Sequence, residues 1–205
     1  DLSNIETSVK ITLPTQKATA EIWTMTVRNT TGRKRRMKIV PYLEWVLNGG
    51  LHDRFHTQYA RLFPEMEYVS GVNAMLAWQK STKSMGVLAV DSAVEGFLAS
   101  RVDFIGRARS VWNPRSLETL QFLNPEDTPS YPTFDPIGSM MIDAELNPNE
   151  TKTIRLLIGY TGEKGKAIAM IHKYLKPRID ATTDAKERRK PPVIGHGEIP
   201  AGTPQ

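Results

Sequence analysis

Two alternating stretches between Ala20 and Leu47 give the clearest pattern of hydrophobic and polar positions in the chain. In the first stretch, Trp23, Met25 and Val27 share one face. In the second, apolar residues of a single parity occur at Met37, Ile39, Leu43, Trp45 and Leu47. A period of two is typical of strands with one buried face. The turn formers Asn29 to Gly32 lie between them, and Gly32 is free to adopt a positive φ, so we predict a β-hairpin. Pro41 cannot donate to a ladder, which predicts a bend or a sheet edge there.

A second pair of alternating stretches follows the same logic near the end of the chain. Residues 138–146 and 151–160 alternate, and Asn147 to Glu150 separates them as a turn. This pattern predicts a second hairpin.

The rest of the chain predicts more strands and few helices. Further strands are expected within 8–13, 68–79, 85–90 and 95–104, with a hairpin loop at 80–84 and a surface excursion over 113–131. Helical spacing of Leu51, Phe55, Tyr59 and Leu62 predicts a short amphipathic helix or turn over 51–63, and a helix over 165–175 is expected on the same grounds. About eight or nine strands without βαβ alternation indicate an all-β antiparallel sandwich with one or two short helices.

Composition limits the classes of partner and chemistry. The chain has 205 residues, no Cys and a formal net charge of +5, which excludes disulfides and cysteine nucleophiles. The basic residues are scattered, and their densest runs, 33–36 and 186–190, fall in a turn and a tail, so we predict no nucleic-acid contact. No apolar run approaches the roughly 18 residues of a membrane span, so no membrane contact is predicted.

The two ends of the sequence predict a piece of a larger protein. The chain begins without Met and without a signal-peptide pattern. Residues 177–205 change to Pro, Gly, Lys and Arg with little apolar content. We therefore expect an ordered domain over 1–176 and a linker or tail over 177–205.

Motifs for catalysis are weak throughout. His52 and His56 have the spacing of a metal pair on a helix, but no third ligand is evident. Carboxylates at Asp91, Glu95, Asp103 and Asp135 lie on or near predicted strands, and one sequence does not give the separation that a glycosidase pair needs. We therefore predict no catalytic residue, no metal and no cofactor.

The tryptophans give the best candidates for ligand contact. Trp23 and Trp45 share the apolar parity of their strands, which favours core packing for both. Trp112 instead lies in a polar segment with Arg107 and Arg109. An exposed indole can stack on a sugar ring, and guanidinium groups can donate to a carboxylate or phosphate, so these three residues form the predicted ligand-binding set.

Three stretches in order resemble one known family. They are EIWTMTVRNTTGRKRRMKIVPYLEWVL (21–47), DFIGRARSVWNPRSL (103–117) and DPIGSMMIDAELNPNETKTIRLLIGYT (135–161). Each is similar to a segment of the sandwich domain of glycoside hydrolase family 94, formerly glycosyltransferase family 36, and most of all to the C-terminal region of cyclic β-1,2-glucan synthases. One departure is Asn149, where the family's turn has Gly; Asn tolerates the same left-handed conformation.

The resemblance implies a fold, a function and partners. The fold is a large antiparallel super-sandwich related to galactose mutarotase. The function is that of a non-catalytic accessory domain, in an enzyme that acts on β-glucans as a phosphorylase or glucan synthase. The expected partners are the enzyme's own (α/α)₆ catalytic barrel and a second copy of the chain in a homodimer. The parent would be cytoplasmic or part of a membrane-anchored bacterial protein.

Two alternatives remain open at this point. The domain could be a carbohydrate-binding module that holds a β-glucan, as Trp112 suggests. It could also be a mutarotase-like enzyme, which needs a His with a carboxylate across a sugar. The four histidines, His52, His56, His172 and His196, offer little support for that chemistry.

Overall fold

The structure, a computed structural model, describes residues 4–16, 18–126 and 130–175, without the side chains of 130–132. The predicted tail at 177–205, with His196, lies outside the described residues.

Within these residues the chain forms eleven strands and four short α-helices, so the all-β prediction is confirmed, with more helices than expected. The strands are β1 Ile5–Thr12, β2 Ala20–Asn29, β3 Arg35–Ile39, β4 Tyr42–Glu44, β5 Glu65–Val69, β6 Ala74–Gln79, β7 Ser84–Val90, β8 Gly96–Ser100, β9 Ser130–Pro132, β10 Pro136–Leu146 and β11 Thr151–Thr161. The helices are α1 Gly50–Ala60, α2 Arg101–Ile105, α3 Arg115–Thr119 and α4 Lys164–Tyr174.

The strands form two antiparallel sheets. The larger sheet has seven strands in the order β1-β2-β11-β7-β6-β5-β9. The smaller has four strands, in which β10 pairs with β3, β4 and β8. The register of β3 and β4 against β10 is unchanged across Val40 and Pro41. These two strands are therefore halves of one strand that is interrupted at Pro41, as its missing N–H predicts.

The two predicted hairpins are wrong in their pairing. Strand β2 pairs with β1 and β11, whereas β3 pairs with β10 in the other sheet. Strands β10 and β11 likewise lie in different sheets. Each turn is thus an arch that carries the chain from one sheet to the other. An alternating pattern shows only that a strand has one buried face. Two consecutive strands have the same pattern whether they are hydrogen-bonded neighbours in one sheet or face each other across the core from two sheets.

Asn29 holds the two arches together. Its side chain is fully buried, and its Nδ2 lies within 2.7–3.3 Å of the carbonyl oxygens of Arg33, Leu146 and Asn147. Its Oδ1 accepts from the backbone N–H of Thr31 at 3.0 Å, an Asx turn. These contacts satisfy both ends of the carboxamide.

The two arches differ in their use of a positive φ. Gly32 does not have a positive φ in the first arch, where the side chains of Asn29 and Thr31 form hydrogen bonds within the turn. Asn149 does adopt the left-handed conformation, with φ 60°.

Apolar side chains fill three layers. Between the sheets lies the main core, which includes Trp45, Met75, Leu88, Phe97 and Ile154. Helix α4 covers the other face of the seven-stranded sheet through Ala167 and Ile171. Helix α2 covers the outer face of the small sheet through Phe104 and Ile105. Trp23 packs against the main core, so the prediction for both tryptophans is confirmed.

Candidate interaction surfaces

Helix α1 follows the small sheet and presents its polar side to the protein. It begins after Gly49, whose φ of 84° favours glycine, and it is distorted at His56 (φ −137°, ψ 44°). Its one buried residue is Ala60, whose carbonyl accepts from Asn48 Nδ2 at 3.0 Å. Asp53 and Arg61 also face inward, each with a side chain only 18% exposed.

A network of charged side chains attaches α1 to the sandwich. Arg61 donates to both carboxylate oxygens of Asp53, at 2.9 and 3.2 Å, and to Asp135 Oδ1 at 2.7 Å. Arg61 also lies 3.3 Å from Glu44 Oε2, and Arg101 donates to Glu44 Oε1 at 3.0 Å. Two guanidinium groups thus share three carboxylates from α1, β4 and the loop before β10. Bidentate pairs of this kind fix orientation as well as charge.

The network shifts the protonation equilibria of its members. Partial burial works to raise the pKa of Glu44, but hydrogen bonds from Tyr42 and Arg101 and the charges of both arginines outweigh it, so this pKa lies below its usual value. The hydrogen bond with Asp53 raises the pKa of Arg61. Burial, followed by the bond to Glu44, raises the pKa of the Tyr42 hydroxyl. At neutral pH Glu44 and Arg61 are therefore charged, whereas the Tyr42 hydroxyl keeps its proton.

The apolar side of α1 faces solvent. We define the α1 apolar face as five exposed residues: Leu51, Phe55, Tyr59, Leu62 and Phe63. Their exposed fractions run from 40% to 74%. The helix predicted over 51–63 is present over Gly50–Ala60, with a kink at His56, and residues 61–63 lie beyond its end. Its apolar side chains are exposed, the reverse of a helix that packs on its own core.

The predicted ligand residues lie on the segment between α2 and α3. Trp112 is 93% exposed. Arg109 pairs with Glu118 at 2.5 Å, and Arg107 borders a cavity of about 390 Å³ that Arg115 and Asp103 also line. The lining includes neither Arg109 nor Trp112. The three predicted residues are therefore neighbours in sequence that do not converge on one cavity.

The other candidate groups are dispersed. The rings of His52 and His56 are 5.6 Å apart on the exposed side of α1, and the described residues contain no group of three or more metal-ligating side chains. Asp91 pairs with Arg155, Glu95 with Lys38, and Asp135 belongs to the network at Arg61. Within the described part of the chain, no helix is both long and apolar enough to cross a membrane.

A comparison with family models identifies the fold. The model described as glycosyl hydrolase 94, supersandwich domain, matches residues 1–177. This chain belongs to glycosyl hydrolase family 94. The resemblance of its three motifs is thereby confirmed at the level of the family and its supersandwich domain.

Two solved structures are similar to this supersandwich domain. A polysaccharide lyase superposes with a TM-score of 0.51 at 10% identity, over 83% of this chain and 22% of the lyase chain. A protein described as a kojibiose phosphorylase, from the human microbiome, has a TM-score of 0.45 at 9% identity, over 84% of this chain and 18% of its own. The domain thus spans about a fifth of the length of these two proteins. No curated protein matches the sequence.

Proposed function

We propose that this supersandwich domain is a non-catalytic accessory domain of a carbohydrate-active enzyme that acts on β-glucans, and that it supports a separate catalytic domain. The family match over residues 1–177 carries this proposal. The dispersed ion-paired carboxylates and the exposed α1 histidines agree with it, because acid–base chemistry on a glycosidic bond needs groups that converge on one sugar.

Phosphorolysis assays test the absence of catalysis. The purified chain is incubated with inorganic phosphate and sophorose, laminaribiose or cellobiose, and glucose 1-phosphate is measured. We expect no release above the buffer blank. Release that scales with the concentration of the chain would overturn the proposal.

A second candidate function is β-glucan binding at Trp112. The observation that favours it is the 93% exposure of this indole, since large aromatic side chains on a sandwich surface can act as platforms for sugar rings. Titration with β-1,2-, β-1,3- and β-1,4-linked oligosaccharides is followed by tryptophan fluorescence. A saturable change is expected in the wild type and in Trp23→Phe, but not in Trp112→Ala. No saturable change at millimolar sugar would exclude this function.

A further inference from the structure

The cavity between α2 and α3 collects charged side chains that have no partner in the described part of the protein. We define the α2–α3 cavity as the space of about 390 Å³ that Arg107 lines together with Arg115 and Asp103. Neither guanidinium group forms an ion pair or a hydrogen bond with a described residue, and neither does the Asp103 carboxylate. Two cations and one anion leave the lining with a net positive charge, which attracts an anionic ligand.

Ser116 adds a buried hydroxyl group to the same lining. The residue is only 2% exposed, and its Oγ has no hydrogen-bond partner among the described residues. A buried hydroxyl without a partner costs free energy, so its presence calls for an explanation. Rotation about a single bond can redirect a serine hydroxyl towards the cavity. A ligand oxygen would then supply the missing hydrogen bond, which makes Ser116 an indication of a ligand that is independent of the arginines.

The backbone between α2 and α3 brings the two arginines together. Gly106 follows α2 with φ 81°, and its N–H donates to the carbonyl of Val102 at 2.8 Å. A Cβ at Gly106 would lie 2.8 Å from the Cβ of Arg115, so glycine permits this close approach. Ala108 also has a left-handed φ, 57°, which is uncommon for a residue with a side chain. Backbone conformations of this kind concentrate at ligand-binding and active sites.

We propose that the α2–α3 cavity binds a small phosphate ester of a polyhydroxy compound, the class that includes the sugar phosphates. Arg107 and Arg115 hold the phosphate group, and Asp103 and Gln121 contact the hydroxyl groups. The volume of the cavity lies within the usual range of small-molecule sites, about 300–1,000 Å³. This inference goes beyond the accessory function and does not depend on it, because a domain without catalytic residues can still bind a ligand.

The pair of guanidinium groups favours a phosphate over a carboxylate. Each guanidinium presents a planar fork of donors that matches either kind of oxyanion. A phosphate ester has three terminal oxygens and a charge of roughly −1.5 to −2 at pH 7, so it can accept from Arg107 and Arg115 at once. A carboxylate has a single charge and two oxygens. It therefore compensates two arginines less completely.

The other polar groups of the lining require hydrogen-bond donors on the ligand. The Asp103 carboxylate only accepts, and Thr119 Oγ1 already donates to the carbonyl of Arg115 at 3.2 Å, which leaves this oxygen to accept. Several hydroxyl groups supply such donors, whereas a hydrogen phosphate ion has only one. Leu98 and Val102 add an apolar part to the lining, which suits the C–H groups of a carbon skeleton.

The test uses the full 205-residue chain. Isothermal titration calorimetry measures the binding of glucose 6-phosphate and glycerol 3-phosphate, with glucose, glucuronate and inorganic phosphate as comparison ligands. We expect saturable binding of both phosphate esters at millimolar concentration, weaker binding of glucuronate and inorganic phosphate, and no binding of glucose. High salt should weaken the binding of the esters, because ions screen the attraction between exposed charges.

Substitution of the two arginines tests their contact with the phosphate. Arg107→Gln and Arg115→Gln should each weaken ester binding by about tenfold or more, the scale of one lost hydrogen bond between charged groups. The matched control is Arg109→Gln, because Arg109 lies on the same segment but pairs with Glu118 and does not line the cavity. Its affinity for both esters should equal that of the wild type.

Two further variants test the remaining polar groups. Ser116→Ala removes a hydroxyl that has no partner in the free domain, so it should weaken ester binding without lowering the midpoint of thermal unfolding. A purely structural hydroxyl would give the opposite result. Asp103→Ala should reduce the preference for glucose 6-phosphate over inorganic phosphate, because Asp103 accepts from hydroxyl groups of the ester. An unchanged preference would contradict the polyhydroxy part of the proposal.

The remaining outcomes are equally decisive. No saturable binding of either ester would overturn the inference, and so would binding that is unchanged in both Arg107→Gln and Arg115→Gln. Glucuronate or inorganic phosphate that binds as tightly as the esters would overturn the ligand class. Circular dichroism establishes that each variant is folded. None of these results affects the accessory function, which the phosphorolysis assay tests separately.

Discussion

At Asn29, one buried carboxamide connects two turns that are far apart in sequence. Replacing Asn29 by Ala would leave the carbonyl oxygens of Arg33, Leu146 and Asn147 without this donor. Buried polar groups that lose their partners cost about 1–3 kcal/mol. We therefore expect Asn29→Ala to lower the free energy of unfolding by about 3 kcal/mol in urea titrations.

Asn149→Gly is the control, because Asn149 is exposed in the adjacent arch and already has a positive φ that glycine accepts. It should change stability by less than about 1 kcal/mol. Equal stability of Asn29→Ala and the wild type would show that the carboxamide does not hold the arches together.

Gly86 and Trp45 are in direct contact in the main core. A Cβ added to Gly86 would lie 2.5 Å from two carbons of the Trp45 ring. Overpacking of this kind costs about 1–3 kcal/mol, so Gly86→Ala should be destabilised by that amount. Trp45→Leu in the Gly86→Ala background should cost less than Trp45→Leu alone, and additive effects in this double-mutant cycle would contradict the contact. Gly165→Ala, where a Cβ has open space, should be neutral or stabilising.

At the scale of elements, the sequence predicts position better than partners. The hydrophobic period and the turn-forming residues correctly locate five elements: strands β2, β10 and β11 and helices α1 and α4. Their pairing was wrong at both arches, because a short polar turn between alternating strands suits a hairpin and an arch equally. The deciding contact is the carboxamide of Asn29 with the opposite arch, which joins residues over a hundred positions apart.

The α1 apolar face shows the same limit for the candidate site. Helical spacing at Leu51, Phe55 and Tyr59 predicts a helix with one apolar side. The spacing does not show whether that side packs on the core of the domain or faces solvent. Asp53 and Arg61, eight residues apart, lie on the inward side of this segment and hold it against the sandwich. The sequence does not reveal this attachment, because the partners Glu44 and Asp135 are distant from Arg61 in sequence. The exposure of Trp112, by contrast, was predicted from its polar neighbours.

The charged network makes α1 depend on Arg61. Arg61→Ala leaves the carboxylates of Asp53 and Asp135, 18% and 15% exposed, without their main cation. Because these groups are partly solvated, we expect a loss of about 2 kcal/mol, below the value for a fully buried pair. Hydrogen exchange should accelerate over 50–60 more than over β6 and β7, which bury the main core.

Arg54→Ala serves as the control on the same helix, because Arg54 is exposed. Its exchange pattern should match the wild type. Unchanged exchange of α1 in Arg61→Ala would mean that the network does not attach the helix.

At the scale of the whole molecule, we expect the domain to lose stability in acid, because some of its carboxylates are paired with Arg and Lys side chains. Burial acts to raise the pKa of Asp143, but hydrogen bonds from Arg36 and Lys38 outweigh it and hold this pKa below its usual value. A depressed native pKa stabilises the fold above the unfolded pKa of about 4, and the contribution disappears as pH falls through the native pKa. Glu44 acts in the same direction.

Asp143→Asn should therefore be less stable than the wild type at pH 7, by about 1 kcal/mol. Its free energy of unfolding should also fall less steeply between pH 5 and pH 3. Urea titrations across that range measure both effects. Glu145→Gln, which removes an exposed carboxylate of the same strand, should keep the wild-type slope. A wild-type slope in Asp143→Asn would contradict the assignment.

The two arches also determine when the domain can fold during its synthesis. Strand β2 lies beside β11, and β3 lies beside β10, so the strands made early require neighbours that are made about a hundred or more residues later. While the chain leaves the ribosome, β2 has only β1 as a local partner. Contacts between distant residues slow folding and leave unpaired strand edges exposed in the meantime. Translation must therefore reach β11 before the sandwich can close, and protection of β2 and β3 by chaperones would matter most in the interval before then.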